Sequence, residues 1–265
     1  MKLAISAMVV GYNEDIFLQK CLDSISFCEE IIYIDLGSSD NSIETAKRFA
    51  SKIIKRPIAP SGEYIQSEVI HTTKYDWVIF IDPDEVVDIT LAANIISLFT
   101  QLNNQRKVGA ILVPWQFYFK KRTLKGTVWG GANKKYLLVH KKRFIFLPIT
   151  HYGRKVKEGY QTFEISYNKA RTNILHHYWM NSYKVFIKKH QRYLKNEARD
   201  QFNTGKRMGI KKAFLMPWNA FKESFIHKKG YKDGWIGLFL SVFWAYYQTS
   251  IAVGLLRIQK EKLGS

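Results

Sequence analysis

WVIFIDPDEVVD, residues 77–88, sets the reading of the whole chain. Trp77–Ile81 is an uncharged apolar run of strand length, and it empties directly into Asp82-Pro83-Asp84-Glu85. Carboxylates at the mouth of a buried strand are poorly solvated unless a cation accompanies them. Two acids at i and i+2 can share one hard divalent ion, whose remaining coordination positions can take diphosphate oxygens. The same four residues also suit an ordinary surface turn before a helix. Their position along the fold decides between the two.

Two further apolar runs end in the same way. Leu3–Val10 passes into Gly11-Tyr12-Asn13-Glu14, and Ile31–Ile34 passes into Asp35-Leu36-Gly37-Ser38-Ser39-Asp40. Helical patterns follow each. One starts near Asp15, with Asn13 offered as N-cap and Ile16, Phe17, Leu22 and Ile25 at helical spacing. The other is Ser42–Ala50, with Ile43, Ala46 and Phe49 on one side. Lys52–Lys55 reads as a short third strand before Pro57. This βαβ alternation predicts an α/β fold with a mostly parallel sheet and ligands outside the carboxyl ends of its strands, where all three polar loops fall. Tyr12 can pack on a base, Glu14 or Asp35 can accept from base or ribose, and backbone N–H groups at a helix start can meet phosphate. Turn and capping chemistry accounts for part of Ser38–Asn41. Neither a G-x-G-x-x-G nor a Walker sequence is present, which argues against dinucleotide and P-loop sites.

The 265 residues are enough for one α/β domain plus an appendage, and 46% apolar content argues against disorder. Charge is unevenly spread. Residues 1–100 hold 8 Lys/Arg against 15 Asp/Glu, whereas residues 101–265 hold 33 against 7. A uniformly basic nucleic-acid binder would not leave its first third acidic. The split suggests an acidic half for a metal and a basic half facing an anionic partner. Cys21 and Cys28 are too far apart along a helix to bridge and read as reduced packing residues of a cytoplasmic protein. MKLAISAMVVGYNED lacks the apolar core of a signal peptide and reads as a buried first strand.

Residues 108–172 read as β-rich, with strands at Ala110–Pro114, Gln116–Phe119, Lys135–His140 and Phe144–Pro148. From about Ile174 the pattern reads as helical. Tyr183–Asp200 is a long basic helix, and Lys211–His227 mixes Phe214, Leu215, Trp218, Phe221 and Phe225 with lysines, with Pro217 expected to kink or start it. Gly234–Leu256 carries no charge and is long enough to span a bilayer, although Gln248, Thr249 and Ser250 favour a helix packed on the domain or lying at the interface. An ordinary core helix beside a solvated basic face is the alternative.

The stretches VVGYNEDIFLQKCLDSI, IIYIDLGSSDNSIETAKRF, WVIFIDPDEVVD, LHHYWMNSYKVFIKKHQRYLKNEA and GYKDGWIGLFLSVFWAYY resemble glycosyltransferase family 2, within it the bacterial lipopolysaccharide core β-1,4-glucosyltransferase-like group. The resemblance implies a GT-A fold, a nucleoside-diphosphate sugar donor (UDP-linked), Mg²⁺ or Mn²⁺, and transfer of a hexose with inversion. By position it implies donor contacts from Val10, Tyr12, Asn13, Glu14, Asp35, Ser38, Asp82, Pro83 and Asp84. Asp84, with Asp82, would hold the metal, and either His151 or His177, both where the family keeps a histidine, would meet the diphosphate or complete the metal shell.

The acceptor half departs from that pattern. No Asp or Glu occurs between Asp88 and Glu158, and His151 is followed by Tyr152 rather than an acid. A sugar hydroxyl needs a group to take its proton, and the candidates are Glu85, Asp88, His151 and Glu158; Asp84 counts as catalytic through the metal it would hold. An anionic acceptor such as a polyprenyl phosphate would need none. The expected organisation is a catalytic domain over 1–172 (nucleotide-binding half 1–100, acceptor half 101–172) and a basic helical membrane-associating region over 173–265. The expected partners are a nucleotide sugar, a lipid-linked or glycan acceptor and an anionic membrane surface, without nucleic acid; oligomerisation is left open. The expected location is the cytoplasmic face of the inner membrane, peripheral or monotopic. A non-catalytic basic protein that binds membrane or nucleic acid is the rival of another class.

Overall fold

The computed structural model describes residues 2–59, 61–102, 107–131, 133–147, 154–167 and 172–263. The chain runs β1 (Leu3–Gly11), α1 (Asp15–Ser24), β2 (Cys28–Asp35), α2 (Ser42–Lys47), β3 (Lys52–Lys55), α3 (Gly62–Val69), β4 (Trp77–Ile81), β5 (Glu85–Val87) and α4 (Ile89–Leu102). It continues through β6 (Val108–Phe119), β7 (Arg122–Thr123), β8 (Asn133–His140), β9 (Phe144–Phe146), β10 (Arg154–Val156), β11 (Gln161–Glu164) and β12 (Leu175–Met180), and ends in α5 (Tyr183–Asn203), α6 (Ile210–Lys222) and α7 (Gly234–Leu263).

The main sheet has the order β3-β2-β1-β4-β8-β6-β12-β5. Strands β3, β2, β1 and β4 are parallel, and β8 runs antiparallel to both β4 and β6. This is the α/β architecture, parallel over its first four sheet strands, that the βαβ alternation predicts. The chain leaves β1 toward β2 on one side and returns through α3 to β4 on the other, so the order reverses between β1 and β4. Ligands of open α/β sheets bind at such a switch point. Register makes the rim explicit: Gly11 stands opposite Asp35, and Val9 opposite Ile81.

Alternation along β1 supplies both faces of the core. Leu3, Ile5, Ala7 and Val9 pack with Leu18, Leu22, Ile25, Leu91 and Ile95 on one side, while Met8 and Val10 pack with Ile65, Val69 and Phe80 on the other. Cys21 and Cys28 are free and fully buried.

The chain divides into two compact units. The first comprises residues 1–116 and 132–179, the second 117–131 and 180–265. The segment 117–131, placed in the acceptor half by sequence, belongs to the second unit. There Asp233 accepts from the backbone N–H groups of Lys125 (2.8 Å) and Gly126 (2.7 Å). A Cβ on Gly126 would meet the Lys229 carbonyl oxygen at 2.1 Å, so only glycine admits this approach. Around the hairpin, Trp129 lies edge-on to Phe186, His190 and Trp244, giving α5 and α7 a shared aromatic core.

Four local expectations change. Asn13 does not cap α1: Glu14 occupies that position, and Asn13 is left-handed at φ +54. Residues 175–180, read as the start of the helical region, form strand β12 by pairing with β5, because tertiary pairing overrides a weak local pattern. Ala110–Pro114 and Gln116–Phe119 are one continuous strand, β6. Of the two expectations for Pro217, to kink α6 or to start it, the second falls, because the residue lies inside the helix.

Candidate functional site

The loops after β1 and β2 are stitched together by their own polar side chains. Asn13 N–H donates to Ser38 Oγ (3.0 Å), Ser39 N–H donates to Asn13 Oδ1 (2.8 Å), and Glu14 N–H donates to Ser42 Oγ (2.9 Å). Asparagine tolerates the left-handed backbone needed at position 13, and its short amide reaches the neighbouring loop. Asp35 is buried and accepts from the N–H groups of Gly37 (3.0 Å) and Ser38 (3.1 Å), fixing the tight turn. Beside it lies a pocket of about 420 Å³ lined by Asp35, Gly37, Ser38, Ile43, Lys55, Arg56 and Pro57. Tyr12 is 41% exposed next to this loop pair.

At the end of β4, Asp82, Asp84 and His177 converge, with one ligand atom from each lying within 4.8 Å of the others. His177 reaches them from β12, where it pairs opposite Glu85 of β5. Its Nε2 is 3.3 Å from Asp84 Oδ1, and its ring stacks on Trp115 at 5.1 Å. Tyr178 N–H donates to the Asp84 carbonyl oxygen (2.8 Å), tying the strand to the acidic loop. Cys21 Sγ donates to the Asp82 carbonyl oxygen from α1 (3.4 Å). Two carboxylates and an imidazole suit a divalent ion such as Mn²⁺ or Mg²⁺. Pro83 sits in the turn between the two acids and offers no N–H.

Glu85, one of the proton-acceptor candidates, lies beneath the acidic turn. It is fully buried, accepts from Asp82 N–H at 2.8 Å, and takes a bond from Lys135 Nζ at 2.5 Å. Lys135 also reaches Asp82 Oδ2 at 3.3 Å and lies over the Trp115 ring. Burial, with Asp84 beside it, would raise the Asp82 pKa, but Lys135 together with His177 and Arg154 holds the carboxyl below its ordinary value. Burial would likewise discharge Lys135, yet Asp82 and Glu85 keep it protonated by raising its pKa. Glu85 ends above the ordinary range because burial dominates, with Lys135 opposing. Through these bonds Glu85 braces the acidic turn from beneath.

The other base candidates lie elsewhere. Glu158 is exposed on the turn between β10 and β11, next to Gln161, which pairs with Val108 at the sheet edge opposite the acidic loop. His151 falls outside the described residues. Sequence reasoning missed Lys135, Lys55 and Arg56. Lys135 left a trace, since it stands in the apolar strand KKYLLVH opposite Val113, where a lysine requires a buried partner.

No protein-family model matches the chain. It is 25% identical over 229 residues to an uncharacterised glycosyltransferase of Rickettsia bellii, covering 84% of this chain and 76% of that one. It is also 25% identical over 255 residues to the lipopolysaccharide core biosynthesis glycosyltransferase LpsC of Rhizobium meliloti, covering 93% and 89% respectively. The crystal structure of glucosyl-3-phosphoglycerate synthase from Mycobacterium tuberculosis with Mn²⁺, UDP and phosphoglyceric acid aligns over 43% of each chain at 22% identity, with a TM-score of 0.35. So partial a likeness says nothing of this chain's ligands. Sheet and relatives together define the class: a glycosyltransferase-like protein on an α/β scaffold.

Proposed function

We propose that the protein transfers a hexose from a nucleoside-diphosphate sugar, UDP-linked, to a membrane-linked glycan such as lipopolysaccharide core or surface polysaccharide, with inversion. One observation carries this reading: Asp82, Asp84 and His177 meet at the rim where β1 and β2 also deliver their polar loops. The relatives' names support the class of reaction.

In this reading Asp82, Asp84 and His177 hold Mn²⁺ or Mg²⁺. When bound, the ion neutralises charge that builds on the leaving diphosphate. Asp35, Ser38 and the Lys55–Arg56 pair line the pocket for the nucleoside, with Tyr12 against the base and Val10, Asn13 and Glu14 shaping its wall. Lys135 keeps Asp82 ionised and Glu85 in place, so the acidic turn is preformed before donor arrives. The place of work is the cytoplasmic face of the inner membrane, peripheral or monotopic.

Titration calorimetry with UDP tests the reading. Binding is expected with Mn²⁺ or Mg²⁺ and is expected to vanish with EDTA and in Asp84→Ala. Equal affinity with and without metal overturns the site assignment.

A second reading has a specific motive. Glu85 is sealed beneath the acidic turn and Glu158 stands at the far sheet edge. An acceptor that is already an anion, such as a polyprenyl phosphate, attacks without surrendering a proton. Radiolabelled donor offered with lipid phosphate or with truncated glycolipid separates the two readings by product.

A further inference from the structure

Helix α6 is turned inside out. Its contacts with the unit come from Ala213 and Ala220, with half-buried Met216 between them and Ser224 one turn on. These positions repeat at three- and four-residue spacing and define a narrow inner seam. The large apolar side chains point away from it: Ile210 is 80% exposed, Phe214 84% and Trp218 60%, at i, i+4 and i+8. Leu215 and Ile226 are exposed as well, as is Trp235 at the start of α7. A water-soluble surface rarely groups this much apolar area.

The rim of this face is basic. Lys211 and Lys212 lie at one end of α6; Lys222, with Nζ over the Trp218 ring, lies at the other, followed by Lys228, Lys229 and Lys232. The second unit as a whole carries 21 Lys/Arg against 5 Asp/Glu, which leaves the first unit with 20 against 17. Nearly all of the chain's excess positive charge therefore sits in the unit that bears the exposed apolar face. Apolar side chains ringed by lysines match the boundary of an anionic bilayer, where acyl chains take the rings and headgroup phosphates take the ammonium groups.

Among the described residues one helix, 230–262, is long and apolar enough to cross a membrane. Its inner face is already committed. Leu240, Phe243, Tyr247, Ile251 and Leu255 are buried, and Tyr247 donates to the buried Glu197 of α5 at 2.6 Å. Spanning would pull this face, and a carboxylate with it, out of its packing.

We propose that the outward face of α6, centred on Phe214 and Trp218, lies in the interface of an anionic lipid bilayer and attaches the protein there, with α7 remaining packed in its own unit. This names the partner surface for the membrane-linked acceptor of the preceding reading and rests on that reading only for its biological purpose.

The test uses the full chain and vesicles of phosphatidylcholine with or without phosphatidylglycerol. Both native cysteines are buried, so Phe214→Cys can be labelled selectively with an environment-sensitive fluorophore. The label is expected to shift to the blue on phosphatidylglycerol vesicles, and less so as salt rises. The unlabelled double variant Phe214→Ser/Trp218→Ser is expected to float with these vesicles at least about tenfold less, while metal-dependent UDP affinity, read in solution, stays at the wild-type value. Unchanged flotation of the double variant overturns the proposal, as does a label that stays wet on vesicles that bind the chain. Binding that resists alkaline carbonate would assign attachment to a spanning α7. Self-association in the absence of lipid, abolished by the same two substitutions, would assign the face to a second copy. A chain that floats normally but fails to bind UDP with metal would retire the catalytic reading and leave this one standing.

Discussion

Lys135 Nζ lies 2.5 Å from Glu85 Oε2 and 3.3 Å from Asp82 Oδ2, so a single buried ammonium serves two carboxylates of the acidic turn. Lys135 is 8% exposed and Glu85 is fully buried, which removes most of the solvent that would otherwise screen them. Taking away one partner leaves the others charged and unpaired. Lys135→Met is expected to destabilise the fold by about 3–5 kcal/mol, read from urea unfolding midpoints. Adding Glu85→Gln to that variant should return a large part of the loss, because the remaining buried amide is neutral. A double variant no more stable than Lys135→Met would show that the pair is not coupled.

Gly11 ends β1 directly over a buried tyrosine. A Cβ there would stand 2.5 Å from Tyr33 Oη and 3.0 Å from its Cε2. Tyr33 is fully buried, and burial pushes its pKa up to about 12, so its hydroxyl stays protonated. Gly11→Ala must displace this ring and is expected to cost about 1–3 kcal/mol. Tyr33→Phe in the same chain relieves the shortest contact and should recover part of the cost in thermal unfolding.

The first hundred residues of the fold were legible because their signals are local. β3 and β4 fall where the apolar runs place them, and β1 and β2 extend the predicted runs by one to three residues. The loops they feed announce themselves by Gly, Asn, Ser and Asp. His177 was found only through resemblance, since nothing in LHHYWM declares a strand; its register opposite Glu85 arises from pairing with β5 across more than ninety residues. That the hairpin 117–131 packs with the second unit was illegible for a similar reason. Its attachment depends on Asp233, over a hundred residues away, and on a glycine contact with no periodic signature. Lys135 was overlooked because charge counting treats every lysine as surface. Strand β8 shows otherwise.

Stability should also depend on a histidine far from the acidic turn. His140 closes β8, where its ring lies edge-on to Trp77 at 5.2 Å and 4.0 Å from Asp76. Burial lowers its pKa, helped by Arg143 and Lys142 and opposed by Asp76. Folding therefore favours the neutral ring. Below the unfolded value near 6.5 the unfolded chain binds a proton that the folded chain refuses. The contribution is thus full above that pH and is lost as pH falls toward the depressed folded value. His176, also lowered by burial, acts in the same sense. His140→Phe keeps an aromatic edge against Trp77 and does not titrate, so its urea midpoint should drop less than that of the wild type between pH 7.5 and 5.5. Parallel drops in the two proteins would exclude His140 as a source.

His177 offers the sharpest test of the metal assignment, because packing and ligation make different demands on it. Its ring is stacked on Trp115 with an interplanar angle of 4°, so a purely structural role predicts that any flat side chain will serve. Ligation predicts otherwise. His177→Phe keeps the stack but removes the nitrogen 3.3 Å from Asp84 Oδ1. It should weaken Mn²⁺-dependent UDP binding by at least the roughly 10–100-fold that loss of an outer-shell partner costs at metal sites, with little change in thermal stability without metal. His177→Asp exchanges an imidazole for a hard oxygen donor, so the affinity ratio between Mn²⁺ and Mg²⁺ should fall even if both weaken. Calorimetry in Mn²⁺, Mg²⁺ and EDTA reads all of these. If His177→Phe binds UDP with metal as the wild type does, the histidine only packs against Trp115, and the metal must be held by Asp82 and Asp84 without it.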